Sequence, residues 1–159
     1  MLSNKTARLR EALTDLILEI FRLNGRLLAA GDALVRDIGL SSARWQVLGA
    51  VALSPVPVPV AHLARNMGLA RQSVQRLVDE MMNDDLVCYA PNPHHRRARL
   101  VVLTERGEKA YRAAMDRQAP WVDGLAAGLT PDAILSATSI LRQIRSRLES
   151  ESKHENATV

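Results

Sequence analysis

Residues 70–104 constrain this chain more than any other stretch. From Arg71 the apolar residues Val74, Leu77, Val78, Met81 and Met82 recur at the spacing of a helix with one buried face. Two apolar runs, 86–90 and 99–103, then read as the strands of a hairpin. Their connecting loop is Pro91-Asn92-Pro93-His94-His95-Arg96-Arg97-Ala98. A helix that can lie in a groove is thus followed at once by a proline-stiffened, arginine-rich hairpin.

The residues just upstream complete the unit. A helix over about 42–53 places Trp45, Leu48, Val51 and Ala52 inward. Pro55, Pro57 and Pro59 forbid helix next, and the valines between them suit a short edge strand, which tolerates proline. Residues 60–67 form a short helix ended by Gly68, with Leu69-Ala70 as the turn. Two short helices joined by a glycine-containing turn are the helix-turn-helix signature.

The polar side of the second helix carries Arg71, Gln72, Ser73, Gln75 and Arg76, and no acid appears before Asp79 and Glu80. A helix start without acids reverses the macrodipole preference and favours an anionic ligand there. Glutamine pairs bidentately with adenine, arginine with guanine, and serine with base edges or phosphate. The first turns of a recognition helix are the part that meets base edges. In the hairpin loop His94, His95, Arg96 and Arg97, with Arg99 just beyond, suit insertion into a narrow minor groove. The competing reading of both features is a solvated polar face and a solvated loop tip.

Composition narrows the alternatives. With 47% hydrophobic and 24% charged residues over 159 positions, the chain is expected to form one domain, or one small module with helical extensions, and can bury a respectable core. Aromatics at 3% disfavour a base-stacking platform of the single-strand type. The net charge of +4 rests on 21 basic residues, all but Lys5, Lys109 and Lys153 being arginine, which fits a duplex binder. Cys88 is the only cysteine, so neither an internal disulfide nor a cysteine zinc site is available. In mid-strand Cys88 reads as a small buried residue, with a redox switch as the alternative.

The histidines His62, His94, His95 and His154 have no acid cluster beside them, and no glycine-rich phosphate loop or catalytic carboxylate pair can be placed. The expectation is a non-enzyme with no metal and no cofactor. No run of about eighteen apolar residues exists, and the N-terminus lacks a secretory pattern, so a soluble cytoplasmic protein without membrane contact is expected. An interaction module that does not bind DNA is the remaining alternative class.

Long helices flank this unit. Leu9, Leu13, Leu16, Ile20, Leu23, Leu27, Ala30 and Leu34 alternate spacings of four and three, a single stripe along one helix. Gly39 is its expected stop, and Ser41 or Ser42 the next cap. The stripe reads either as an ordinary core face or as a surface for a second copy of the chain. Toward the C-terminus, a helix capped by Thr104 runs past Tyr111 and Met115 to Pro120 or beyond. Another has Thr130 as cap and Pro131 at its first position, with Ala133, Ala137, Ile140, Leu141, Ile144 and Leu148 on one face. Residues 149–159 are polar and short, and fraying is expected there.

These segments together resemble the MarR family of transcriptional regulators. The resemblance is carried by Trp45-Gln46-Val47-Leu48, by 62–69 ending in Gly68-Leu69, by 71–79, by Asp85-Leu86-Val87, by His95-Arg96-Arg97, and by Leu103-Thr104-Glu105-Arg106-Gly107. It covers roughly 9–148. Two positions depart from the pattern: His95 stands at the usual wing aspartate, and Asp85 at the glycine before Leu-Val. A histidine does not brace Arg97 as a carboxylate would, and Asp85 must adopt a left-handed conformation less easily than glycine.

The resemblance implies a mainly α fold with a small β-hairpin wing. A winged helix-turn-helix over 42–104 would lie between dimerisation helices at 1–38 and 105–150, with a frayed tail at 151–159. It implies a bacterial homodimer on a pseudo-palindromic DNA operator, most often a repressor, whose interface includes Leu9, Leu13, Leu16, Ile20, Ile140, Ile144 and Leu148. It also implies a small-molecule effector in a cleft between the dimer helices and the winged helix. Trp45 and Phe21 either line that cleft or pack in the core.

Overall fold

The computed structural model describes residues 2–157, with side chains described for 4–151. Helix α1 spans Leu2–Val35 and passes into a 3-10 turn, Arg36–Ile38, closed by Gly39 in the left-handed region at φ 75°. Ser41 caps α2 (Ser42–Ala52), its hydroxyl accepting from Arg44 N at 3.3 Å. Ser42 has another task. Its amide donates to Asp32 Oδ1 at 2.6 Å and its hydroxyl to Leu28 O at 2.8 Å, which fastens α2 to α1. The two helices touch there because Gly31 has no side chain, and a Cβ would stand 2.2 Å from Ser42 Oγ.

The proline-valine run supplies β1 (Val58–Pro59), followed by α3 (Val60–Met67) and α4 (Arg71–Asn83). Gly68, at φ 65°, ends α3 with the backbone bonds of a left-handed cap. Strands β2 (Val87–Ala90) and β3 (Leu100–Leu103) form an antiparallel hairpin, and β1 adds to the far side of β3, giving the order β1-β3-β2. Proline is tolerated in β1 because it is an edge strand.

Asp85 has φ 56° and takes the left-handed role the sequence assigned to it, leading α4 into the hairpin. The turn is locked from the far side. Thr104 N donates to Leu86 O, and Thr104 Oγ1 donates to Asp85 O while accepting from Gly107 N at 3.0 Å. Gly107 lies flat against that carbonyl, and a Cβ would meet Leu86 O at 1.9 Å. The Leu-Thr-x-x-Gly sequence thus joins the end of the hairpin to the start of α5 (Glu105–Ala126).

The core lies between α2, α3, α4 and the inner face of the sheet. Leu48, Leu63, Val74, Val78 and Met81 are fully shielded, with Val47, Val87 and Val101 beside them. The inward set assigned to α2 needs correction. Val47 is buried and Ala52 exposed, because α2 is covered by both α1 and α4 and turns a different edge to solvent. Arg44 on α2 clamps the end of α4, with Nη1 2.6 Å from Asp84 and Nη2 3.7 Å from Glu80.

The chain divides into two compact units, 1–118 and 119–159, and α5 runs from the first into the second. In the second, Thr130 Oγ1 accepts from Ala133 N at 3.3 Å and caps α6 (Pro131–Ala157). The backbone of α6 is helical through Ala157. The side chain of His154 lies outside the described residues.

Candidate nucleic-acid interface

Helix α4 begins at Arg71, with Ala70 at its cap position offering no side-chain hydrogen bond, and it has no acid in its first turn. The amides of Arg71 and Gln72 therefore remain available to an anion, while Ser73 N donates to Ala70 O at 3.0 Å. Arg71, Gln72, Ser73 and Arg76 are exposed, as the sequence predicts. Gln75 is not fully so. It is half-buried, and its Nε2 donates to Asp79 Oδ1 and to Tyr89 Oη, both at 2.8 Å. Exposure is lost there because the hairpin folds back against α4 and brings Tyr89 alongside it.

The acids that follow on α4 are engaged. Asp79 accepts from Gln75, while Glu80 and Asp84 face Arg44. The start of α4 is therefore left with its arginines and free amides.

His94, His95, Arg96, Arg97 and Arg99 are all exposed on the wing. The loop is held by Asn92, a residue the sequence reading did not single out. Its Nδ2 donates to Ala98 O at 2.8 Å and its Oδ1 accepts from His94 N at 3.0 Å. Backbone bonds His95 N to Asn92 O and Ala98 N to His95 O close two turns inside the loop. Asparagine bonding its own backbone two residues on is an Asx turn. With His95 in place of a carboxylate, Asn92 gives the wing its shape and leaves Arg97 exposed. An asparagine between two prolines was the available signal.

Helix and wing share one cleft of about 450 Å³. Arg71 and Gln75 from α4 meet Tyr89, His95, Arg97 and Arg99 from the hairpin around it. On the outer side of α4 a second groove of about 580 Å³ is lined by Arg71, Gln72, Gln75 and Arg76 at its start and by Asp79, Glu80 and Asn83 further along. Arg96 faces a separate hollow on the other side of the wing, together with Asn92 and Arg99. Ser73 and His94 are exposed but line none of these. The Arg99 guanidinium stacks on the Tyr89 ring, 4.2 Å from its centroid, a cation–π contact that holds it at the base of the wing.

Cys88 is exposed, contrary to the buried position expected of it. Val87 is buried and Tyr89 half-buried on the inner face, so pleating sends Cys88 to the other side. In this three-stranded antiparallel sheet only one face packs on helices, and the other meets solvent. Among the described residues no group of three His, Cys, Asp or Glu side chains converges as a metal site. No single helix among them is long and apolar enough to cross a membrane.

The residues expected at an interface between copies lie open in the single chain. Leu9, Leu13, Ile140 and Leu148 are exposed, and Leu16, Ile20 and Ile144 half-buried. Phe21 is 70% exposed, so it is not part of the core of the single chain. Trp45 is half-buried and lines a cleft of about 280 Å³ between α2 and α5, with Gln46, Gly49, Leu53, Tyr111, Met115 and Gln118.

Residues 38–98, from the 3-10 turn to the wing, match the model of the MarR family. An uncharacterized protein of Mycobacterium tuberculosis is 32% identical over 141 residues, covering 89% of this chain and 97% of that one. The transcriptional activatory protein BadR of Rhodopseudomonas palustris is 30% identical over 103 residues, 64% of this chain and 59% of BadR. Among solved structures, CouR of Rhodococcus jostii RHA1 bound to p-coumaroyl-CoA superposes with a TM-score of 0.71 at 22% identity, covering 81% of this chain and 90% of CouR. The M. tuberculosis regulator MosR in complex with DNA gives 0.68 at 20% identity, over 82% and 96%. The order of elements, the helix-turn-helix with its basic wing and these similarities agree: the chain belongs to the MarR family of winged-helix, DNA-binding transcription regulators, which are not enzymes.

Proposed function

We propose that the protein works as a homodimer on a pseudo-palindromic operator, with the start of α4 in the major groove and the wing arginines in the flanking minor groove. The observation that carries this is the shared cleft, where the acid-free start of α4 and Arg97 and Arg99 of the wing border one basic recess. A duplex presents phosphates on both sides of a groove, and a helix and a hairpin set side by side can engage both. In this reading Arg71, Gln72, Gln75 and Arg76 meet base edges. Ser73, His94, His95, Arg96, Arg97 and Arg99 serve phosphates and the minor groove. The half-sites of such a dimer lie about 34 Å apart, one duplex turn.

The homodimer is supported by the apolar stripe of α1, where Leu9, Leu13, Leu23 and Leu27 lack cover. Soluble proteins seldom leave so long an apolar seam open unless a partner closes it. Repression by occlusion of a promoter is the proposed mode, in the bacterial cytoplasm. A ligand would act through the cleft beside Trp45, Tyr111 and Met115, which is apolar with Gln46 and Gln118 at its edge. CouR, a structural neighbour, is itself bound to an acyl-CoA ligand, and that supports ligand responsiveness here.

Titration of operator DNA against salt tests the reading. With roughly 6–10 phosphates neutralised per dimer, affinity should fall about 10³- to 10⁵-fold between 50 and 200 mM salt. A flat salt response would remove duplex recognition by this face.

A further inference from the structure

Gln75 occupies the place where both grooves meet, lining the cleft toward the wing and the groove along the outer side of α4. Its amide is already half committed. A carboxylate such as Asp79 only accepts hydrogen bonds, so the end of the amide that faces it, at 2.8 Å, is the NH₂. The Tyr89 hydroxyl takes the other proton of the same nitrogen, also at 2.8 Å. Both amide protons are thereby used inside the protein, and Oε1 alone is left to meet a ligand.

We infer that Tyr89, with Asp79, is a positioning residue that turns Gln75 into a pure hydrogen-bond acceptor and so sets which bases it accepts. The inference rests on α4 reading base edges, as proposed above. A free glutamine grips adenine bidentately, with its oxygen accepting from N6 and its NH₂ donating to N7. Gln75 cannot make that second bond. Its lone acceptor fits any base with an exocyclic amine in the major groove, which means adenine N6 or cytosine N4. Guanine O6 and N7, or thymine O4, would set acceptor against acceptor and leave a polar contact unmade. The code expected at this position is therefore amino against keto base rather than adenine alone.

Tyr89 also carries the signal to the wing, because its ring bears the Arg99 guanidinium while its hydroxyl holds Gln75. Its location on β2, opposite Val101, fixes it relative to the hairpin. The base preference at one position and the placement of a wing arginine thus depend on one side chain.

The test is selection of duplexes from a random-sequence pool by the full chain and by the variants Gln72→Ala, Gln75→Ala, Tyr89→Phe and Asp79→Ala. Wild type should enrich adenine and cytosine at one position in each half-site. Gln75→Ala should erase that preference. Tyr89→Phe should free an amide proton and admit guanine and thymine there, narrowing the discrimination by about three- to tenfold, the worth of one hydrogen bond. Neighbouring positions should not change. Asp79→Ala frees the other proton and should shift the same position, which decides the matter if Tyr89→Phe fails to fold. The inference is overturned if Gln75→Ala changes one position while Tyr89→Phe or Asp79→Ala alters none, or weakens all positions evenly as a merely structural strut would. If Gln72→Ala and Gln75→Ala alter no position at all, base reading by α4 falls, and the inference falls with it.

Discussion

Within the helix-turn-helix, Leu48, Leu63, Val74, Val78 and Met81 are shielded completely, whereas along α1 Leu9 remains 68% exposed, Phe21 70% and Leu23 52%. Both regions have apolar residues at helical spacing, and periodicity does not tell them apart. The difference lies in what surrounds them. Around α3 and α4, short helices and a sheet close on one another within a few turns, so each apolar face finds another. The stripe of α1 runs far beyond its contact with α2, which is held at Gly31 and Ser42. If the open seam is where two copies meet, as proposed above, stability and assembly can be disturbed separately.

The largest effect should come from the seam. Leu16→Asp places a charge in the middle of the α1 stripe, where an apolar contact between copies would leave it unpaired. The variant should sediment as a monomer and lose about 10²- to 10⁴-fold in operator affinity, since two half-sites are no longer held together. If it remains a dimer with unchanged DNA binding, the seam is not the assembly surface and the contrast between the two regions loses its meaning.

Leu63→Ala attacks the closed region instead. Its side chain is fully buried, so truncation should cost about 2–5 kcal/mol, read as a lower midpoint in chemical denaturation. Its loss should not depend on protein concentration in the way that Leu16→Asp should. Gly107→Ala comes next, because its Cβ would collide with the Leu86 carbonyl and the backbone must yield. A cost of about 1–3 kcal/mol is expected for such overpacking, together with weaker DNA binding as the hairpin shifts. Stability equal to wild type would show that the contact between α5 and the hairpin is slack.

The smallest effect concerns pH. The Arg117 guanidinium, 2.6 Å from Asp37, holds that carboxyl below its ordinary value through their hydrogen bonds. A depressed folded value means the pair contributes stability above the unfolded carboxylate pKa, near 3.9, and the contribution is lost as pH falls through the folded value. Asp37→Asn should flatten the acid limb of the stability curve below about pH 4. The change should be slight because the pair is exposed to solvent. An unaltered acid limb would remove this link between the 3-10 turn and α5.

Much of this architecture was legible in order and spacing. The stop at Gly68, the left-handed turn at Asp85, the caps Thr104 and Thr130, the edge strand among the prolines and the apolar face of α4 all depend on residues within a few positions of one another. Local dihedral preferences and helical periodicity act over that range, so the sequence states them directly. The basic character of the wing and of the start of α4 was equally visible, because it is composition at fixed positions.

What only the tertiary structure decided involves partners far apart in the chain. Gln75 looked like one more exposed polar residue until β2 brought Tyr89 to its amide, fourteen positions away. Arg44 and Asp84 are forty positions apart, Arg117 and Asp37 eighty. Cys88 looked buried in an apolar run, yet the sheet packs on one side only and the pleat turned it outward. A hydrogen-bonding side chain states its type in the sequence but not its partner. The partner is chosen by how helices and strands pack, and packing is fixed by the burial of all the apolar faces together.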